Sequence, residues 1–251
     1  MNLDPQLHDF LGGVSVSLDQ VERFRAAMGE PRGFQRKLLT STAQRLLCLA
    51  SRQTGKSTTI ACIAWDAFLR GQTVLVAAPS QRQSIEFLMR VRDFKEADPF
   101  APTVNFLKTE VNAPNHRGRI VSIPATDNAR GFTADLLVLE EAAYMDLDAI
   151  TALLPMRKKD TGRLITVSTP NLREGYFYDR WTEPNDYEKV LGLYTDIPEL
   201  VDLVELERQD MSDLTFRREY LCEFVGSGVP LIGHDVLARA TNPDVGALRL
   251  T

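Results

Sequence analysis

Ala50-Ser51-Arg52-Gln53-Thr54-Gly55-Lys56-Ser57-Thr58 separates two segments of different periodicity. Before it, Leu46-Leu47-Cys48-Leu49-Ala50 is a short continuous apolar run, the pattern of a strand buried on both faces. After it, Ile60, Ile63, Ala64, Ala67 and Phe68 recur at helical spacing. Gly55, Lys56 and Ser57 match the pattern G-x-x-x-x-G-K-[ST], with Ala50 where the first glycine normally stands. In a strand–loop–helix unit of this kind, the loop N–H groups and the helix N-terminus converge on phosphate oxygens. Lys56 adds a positive charge near the β- and γ-phosphates, and the Ser57 hydroxyl is suited to ligate Mg²⁺. The candidate nucleotide-binding residues are Ser51, Arg52, Gln53, Thr54, Gly55, Lys56, Ser57 and Thr58, and the expected ligands are ATP and Mg²⁺. The plain alternative is a chance G-K-S at a helix start, which the flanking strand and helix disfavour.

Working outward, apolar runs alternate with helical patterns from about 46 to 195. Strands are predicted at 46–50, 73–78, 119–123, 136–140, 163–168 and 190–195, and helices at 56–70, 80–97, 146–156 and 175–183. Val-, Leu- and Ile-rich strands separated by helices predict a three-layer α/β fold with a mostly parallel central sheet. Segment 102–124 breaks the pattern with two short strand-like pieces around Asn115-His116-Arg117-Gly118, a hairpin signal. Leu18 to Met28 is amphipathic and predicts a helix packed on the core. After about 197 the character changes. Pro198 opens an acidic amphipathic helix to about 209, and Ser212 is a candidate N-cap for a second ending near Phe224. The predicted organisation is therefore a core over 1–196, a small helical subdomain over 197–225 and a linker or tail over 226–251.

Leu136-Leu137-Val138-Leu139-Glu140-Glu141 places two carboxylates at the C-terminal tip of a buried strand, where ligands bind in open α/β sheets. The first acid is suited to orient a water of the Mg²⁺ shell, and the second to position the attacking water. Glu140 is a one-methylene departure from the aspartate usual there. Acids also follow strands as helix N-caps, so this signal draws its force from the upstream loop. Arg163-Leu164-Ile165-Thr166-Val167-Ser168-Thr169-Pro170 ends in small hydroxyl residues. Ser168 or Thr169 is expected to hydrogen-bond Glu141 or a phosphate-bound water; the alternative is a simple strand end closed by a turn. The Gln35 carboxamide matches the N6/N7 edge of adenine. Arg130 and Arg52 are candidates for the extra cation that phosphoryl transfer uses.

Composition bounds the rest. At 251 residues, with 44% hydrophobic and 25% charged residues, the chain is an ordinary soluble globular protein. A formal charge of −5 excludes a globally basic nucleic-acid binder but leaves room for a local basic groove. Acidic residues gather near 196–223. Cys48, Cys62 and Cys222 lack metal-ligand spacing and are too few for a disulfide framework, which predicts reduced thiols. There is no apolar run of membrane-spanning length and no signal-peptide pattern, so a cytosolic protein without membrane contact is expected.

Taken in order, these motifs resemble the ATPase domain of the large terminases, the motors that package DNA into viral procapsids. S-R-Q-T-G-K-S resembles the terminase loop, L-E-E-A-A-Y its acid strand and I-T-V-S-T-P its coupling motif. Phe34-Gln35 resembles the adenine-binding segment, and Asn128-Ala129-Arg130-Gly131 the loop whose arginine enters a neighbouring subunit's site. Phe216-Arg217-Arg218-Glu219-Tyr220-Leu221-Cys222-Glu223-Phe224 resembles the closing segment of the lid. The resemblance covers about 30–225. It implies a P-loop NTPase fold of the ASCE type with a helical lid, Lys56 and Ser57 on phosphate and Mg²⁺, and Glu140 near the metal. It further implies Glu141 as the catalytic carboxylate, Ser168 and Thr169 in coupling, and Arg130 acting in trans.

The implied partners are double-stranded DNA, further copies in a homomeric ring, the portal and the small terminase, in the host cytoplasm and transiently at the portal vertex. An isolated domain could nonetheless be monomeric. Large terminases continue into a nuclease domain of clustered aspartates. None is recognisable after 225, so nuclease activity is not expected. A packaging motor must grip DNA by backbone charge; Arg90, Arg92, Lys95, Arg117 and Arg119 are the candidates, against the alternative that each is a solvated surface charge. The competing readings are a helicase or remodelling ATPase, which would need a second ATPase half, and a non-hydrolysing nucleotide switch, against which Glu141 and the arginine candidates argue.

Overall fold

A computed structural model describes residues 18–126 and 131–226. The chain enters through α1 (Gln20–Met28) and α2 (Gly33–Thr40), then β1 (Arg45–Ala50), α3 (Lys56–Leu69), β2 (Thr73–Ala78) and α4 (Gln81–Ala97). Short strands β3 (Asn105–Phe106) and β4 (Glu110–Asn112) precede β5 (Arg119–Pro124), β6 (Leu136–Glu140), α5 (Leu147–Leu153) and β7 (Arg163–Ser168). The last elements are α6 (Tyr176–Thr182), β8 (Glu188–Gly192), α7 (Pro198–Glu207) and α8 (Asp213–Glu219).

One sheet carries the strands in the order β3-β4-β5-β2-β6-β7-β1-β8. From β5 to β8 every neighbouring pair is parallel, and β3–β4 and β4–β5 are antiparallel. The predicted mostly parallel sheet and inserted hairpin are therefore both present. Alternate residues of each parallel strand feed opposite faces, as the pleat requires. Leu46, Cys48, Val74, Val76, Val138 and Ile165 pack with α1–α4 around Phe24, Phe34, Trp65, Phe68 and Phe87. Leu47, Leu49, Leu75, Leu137, Leu139 and Leu164 pack with α5 and α6 around Ile150, Leu153 and Phe177. Burial on both faces explains why these strands read as unbroken apolar runs.

Helix α1 begins with a capping box in which Asp19 accepts from Glu22 N and the Glu22 side chain accepts from Asp19 N. It carries a buried arginine into the core: Arg23 lies 2.9 Å from Asp98 and 3.5 Å from Asp66, all three nearly inaccessible to solvent. Asp66 also pairs with Arg70 at 2.9 Å.

Two boundaries differ from the sequence expectation. The last strand runs over Glu188–Gly192, not 190–195, because Leu193 N donates to Asp196 Oδ2 and turns the chain into a 3₁₀ turn over Tyr194–Asp196. As an edge strand it is only half buried, so its pattern carries less signal. Helix α8 starts after Ser212, whose hydroxyl accepts from Thr215 N, but ends at Glu219, well short of Phe224. There Cys222 adopts a left-handed φ of 57°, which a continuing helix excludes. Tyr194, Val204, Phe216 and Tyr220 form a small separate cluster between α7 and α8.

Candidate active site

The loop after β1 sits where the parallel strands end. Gln53 and Gly55 take positive φ, 62° and 78°, which folds the chain back on itself before Lys56 starts α3. Thr54 closes the turn by donating its hydroxyl to Ser51 O at 2.8 Å. Ala50 ends β1 with no exposed surface, so the missing first glycine is absorbed in the strand. Gln35 braces the loop from α2: its Nε2 donates to Thr54 O at 3.1 Å and its Oε1 accepts from Arg32 N at 2.8 Å. The carbonyl that would meet an adenine amino group is thus already engaged by Arg32.

Ser51 is fully buried and ties the loop to two distant segments. Its N–H donates to Gly192 O and its hydroxyl to Tyr220 O at 2.6 Å, while that hydroxyl accepts from Tyr194 N at 3.1 Å. Arg52 N donates to Glu219 O at 2.8 Å. The Arg52 side chain turns outward, 64% exposed, with Nη1 3.8 Å from Glu219 Oε2.

Strand β6 delivers the two carboxylates next to this loop. Glu140 accepts a hydrogen bond from Ser57 through Oε1, while its buried Oε2 has no partner. Burial, with the neighbouring Glu141 charge adding to it, pushes the Glu140 carboxyl up to about 6 against the opposing effects of Ser57 and Lys56. Glu141 stands just past the strand in the left-handed region, φ 55° and ψ 44°. That backbone geometry turns its carboxylate across the cleft, where Oε1 lies 3.0 Å from Lys56 Nζ. Glu141 Oε2 accepts from Ser168 Oγ at 3.2 Å, Thr169 N at 3.2 Å and Thr169 Oγ1 at 3.3 Å. The loop, the acid strand and the hydroxyl-rich strand end therefore meet at one point, as the sequence expectation has it.

The residues present fit a hydrated divalent cation. Among the described residues no group of three or more His, Cys, Asp or Glu side chains forms a protein-only cage. A hydroxyl and a carboxylate with one unpaired buried oxygen suit an ion that keeps waters and phosphate oxygens as its other ligands.

Other candidates are dispersed. Arg130 lies outside the described residues. Arg92 stacks over the Phe106 ring at 4.8 Å, and Arg119 is paired with Glu110 at 2.7 Å. Arg119 opens β5 beside Thr73, the first residue of β2, so it and Arg117 sit at the end of the sheet opposite Glu140. Lys95 lies in the last turn of α4, and Arg90 donates to Glu86 O. Arg90, Arg92 and Lys95 share α4, and Arg117 and Arg119 stand at the start of β5, on which that helix packs. Two residues not singled out from sequence border the cleft. The Tyr144 hydroxyl lies 3.4 Å from Thr169 Oγ1 and donates to Pro170 O at 3.1 Å, and Glu219 meets both Arg52 and Arg218. Both lie within the motif strings L-E-E-A-A-Y and F-R-R-E-Y, which is the signal that could have found them.

The family model for the helicase domain of the RNA cytidine acetyltransferases NAT10/TcmA matches residues 47–175, just over half of the chain. The large terminase subunit of Thermus virus P23-45 is 28% identical over 81% of this chain and 51% of that protein. The chain thus spans about half the length of the curated relatives it matches. The large terminase ATPase domain of Thermus phage P74-26 superposes with a TM-score of 0.67 at 24% identity, over 80% of this chain and 97% of that one. The large terminase of another thermophilic bacteriophage, solved in complex with ADP, gives a TM-score of 0.63 at 13% identity, over 77% of this chain and 54% of that one. Among the described residues no helix is long and apolar enough to cross a membrane. The chain belongs to the family described by that helicase-domain model, and within this P-loop class it is a homologue of the phage large terminases, built on the fold of their ATPase domains.

Proposed function

We propose that this chain is an ATP-hydrolysing motor domain that drives double-stranded DNA into a viral procapsid. The observation that carries the proposal is the convergence of Lys56, Ser57, Glu140 and Glu141 at the C-terminal ends of β1 and β6, with Ser168 and Thr169 fixing Glu141. Lys56 and the loop N–H groups bind and orient the β- and γ-phosphates. Ser57 and Glu140 would hold Mg²⁺, which would supply neutralising charge for the phosphates. Glu141 is held by three hydrogen bonds from Ser168 and Thr169, which leaves its carboxylate oriented to position a water and accept its proton. The ADP complex of the thermophilic-phage terminase supports nucleotide as the ligand class.

The segment from 197 to 225, tied to Ser51 and Arg52, acts as a lid over the nucleotide, and Arg130 of a neighbouring copy completes the site within a homomeric ring. The partners are DNA held by backbone charge, the portal and the small terminase. Arg90, Arg92, Lys95, Arg117 and Arg119 are individual candidates for phosphate contacts. Steady-state ATP turnover with Mg²⁺ tests the chemistry: Glu141→Ala is expected to abolish it, and undiminished turnover refutes the assignment. Mixing Glu141→Ala with Arg130→Ala subunits restores activity if Arg130 acts in trans; mixed rings that stay inactive refute that arm.

The match to a helicase-domain model favours one second reading, a P-loop ATPase that remodels RNA. Turnover stimulated by duplex DNA and indifferent to RNA selects the packaging motor; the reverse selects the remodeller.

A further inference from the structure

Three arginines share one small cavity on the α5–α6 face of the sheet. The cavity, about 230 Å³, takes Arg45 from the start of β1, Arg157 from the segment before β7 and Arg180 from α6. Arg45 lies in register with Leu164 near the starts of β1 and β7. The cavity therefore sits at the end of these strands away from Gly55–Ser57, separate from the nucleotide cleft. Two tyrosines hold the charges together. Tyr176 Oη and Tyr187 Oη are 2.5 Å apart. Each ring carries a guanidinium, Arg45 over Tyr187 at 5.7 Å and Arg180 over Tyr176 at 5.6 Å.

The cavity is rich in donors and poor in acceptors. No carboxylate lines it, and Leu154 and Leu164 complete its wall. Arg180 makes no side-chain hydrogen bond or ion pair with any described residue. Arg157 makes one, from Nη1 to Gly162 O at 3.0 Å. Arg45 has a carboxylate, Asp186 at 3.3 Å, and that partner is exposed. Three guanidinium groups against one carboxylate leave uncompensated positive charge, in a chain whose formal charge is −5. In the tyrosine pair one hydroxyl donates to the other, so the second proton has no acceptor among the described residues. Burial raises the Tyr176 phenol far above its ordinary value, with Tyr187 adding to it and Arg180 and Arg45 opposing it, so that hydroxyl stays protonated.

The geometry points to a phosphate-binding site formed by Arg45, Arg157, Arg180 and the spare hydroxyl of the Tyr176–Tyr187 pair. A single guanidinium fork satisfies both oxygens of a carboxylate. Forks from three elements, with a hydroxyl beside them, suit a group whose oxygens point in several directions, as those of phosphate do. The phosphate belongs to a nucleic-acid backbone or is free in solution, since the two present the same kind of oxygen. The site does not depend on the cleft binding ATP, and it uses none of the basic residues singled out on α4 and at β5.

NMR titration of the full chain, isotope-labelled at arginine Nε and assigned through the backbone, tests this. Inorganic phosphate at constant ionic strength is expected to shift Arg157 and Arg180 with one common, saturable affinity, while acetate leaves them in place. Arg180→Gln should weaken the response of Arg157 about tenfold, the scale of one charge-assisted bond. A short DNA duplex that produces the same shifts identifies the nucleic-acid backbone as the source. In that case the salt dependence of DNA binding, as log K against log salt, should flatten by about 1 in Arg180→Gln. Shifts with inorganic phosphate and none with DNA identify free phosphate. Shifts confined to Arg52, shifts that never saturate, an equal response to acetate, or no response to phosphate or DNA overturn the site. So does a folded Arg180→Gln chain in which Arg157 responds as in wild type. The wild-type titration decides the other outcomes even where thermal melting finds the variant unfolded.

Discussion

Lys56 and Glu141 neutralise each other across 3.0 Å, yet each has a separate means of support. Lys56 is fixed by its place at the start of α3, and Glu141 by Ser168 and Thr169. The contact is therefore more useful to function than to stability. Lys56→Met should cost only ~1 kcal/mol, since Glu141 keeps three donors. It should lower ATPγS affinity ~10–100-fold, the equivalent of one hydrogen bond to a charged group. Thermal melting and calorimetry, read together, check both halves.

Glu140 makes the fold sensitive to pH. Its carboxyl sits at about 6 in the folded chain against 4.5 ordinarily. Between those values the folded state binds more protons than the unfolded one, so stability falls as pH rises through the window. The full cost, ~2 kcal/mol, is present above pH 6 and absent below 4.5. Glu140→Gln should therefore be more stable than wild type at pH 7 by up to ~2 kcal/mol, with the advantage gone near pH 4. Urea unfolding of the nucleotide-free proteins across that range checks it; a gap that widens toward acid contradicts it.

Arg23 is a structural counterpart. Removing it leaves Asp66 and Asp98 buried with less compensation. Arg23→Ala should lose ~3–5 kcal/mol, far beyond a surface pair. The solvent-exposed Arg25–Glu30 pair serves as the control: water screens it, and Arg25→Ala should leave stability nearly unchanged. Chemical denaturation of both variants makes the comparison.

Gly192 links the sheet edge to the loop. A Cβ there would lie 2.6 Å from the Phe34 ring, too close for any real contact. Phe34 precedes Gln35, which braces Thr54. Gly192→Ala should therefore cost ~1–3 kcal/mol and also weaken nucleotide binding. Phe34→Leu in the same chain should relieve part of both defects, as double-mutant analysis would reveal.

The sequence was most legible where side-chain pattern and backbone geometry report the same thing. Continuous apolar runs mark the parallel strands, and the rule that ligands gather at strand C-termini places Gly55–Ser57, Glu140–Glu141 and Ser168–Thr169 together from the sequence alone. The edge strand β8 lies two to three residues earlier than its apolar pattern indicates, because half of it faces solvent and its apolar residues do not mark its limits. The pairing of Arg52 with Glu219, the bracing of Thr54 by Gln35 and the clasp of Ser51 on Tyr220 were not legible. Each joins single polar atoms far apart in the chain, and such contacts leave no periodic trace.

The clasp at Ser51 has a consequence for the order in which the site is built. The phosphate loop is made early in the chain, but its Ser51 hydroxyl and Arg52 amide donate to the carbonyls of residues 220 and 219, and residue 220 is made 169 residues after Ser51. On a ribosome, a nascent chain would display the loop's sequence long before its floor exists. The loop's hydrogen bonds are complete only once the segment around 220 has been made and packs against it.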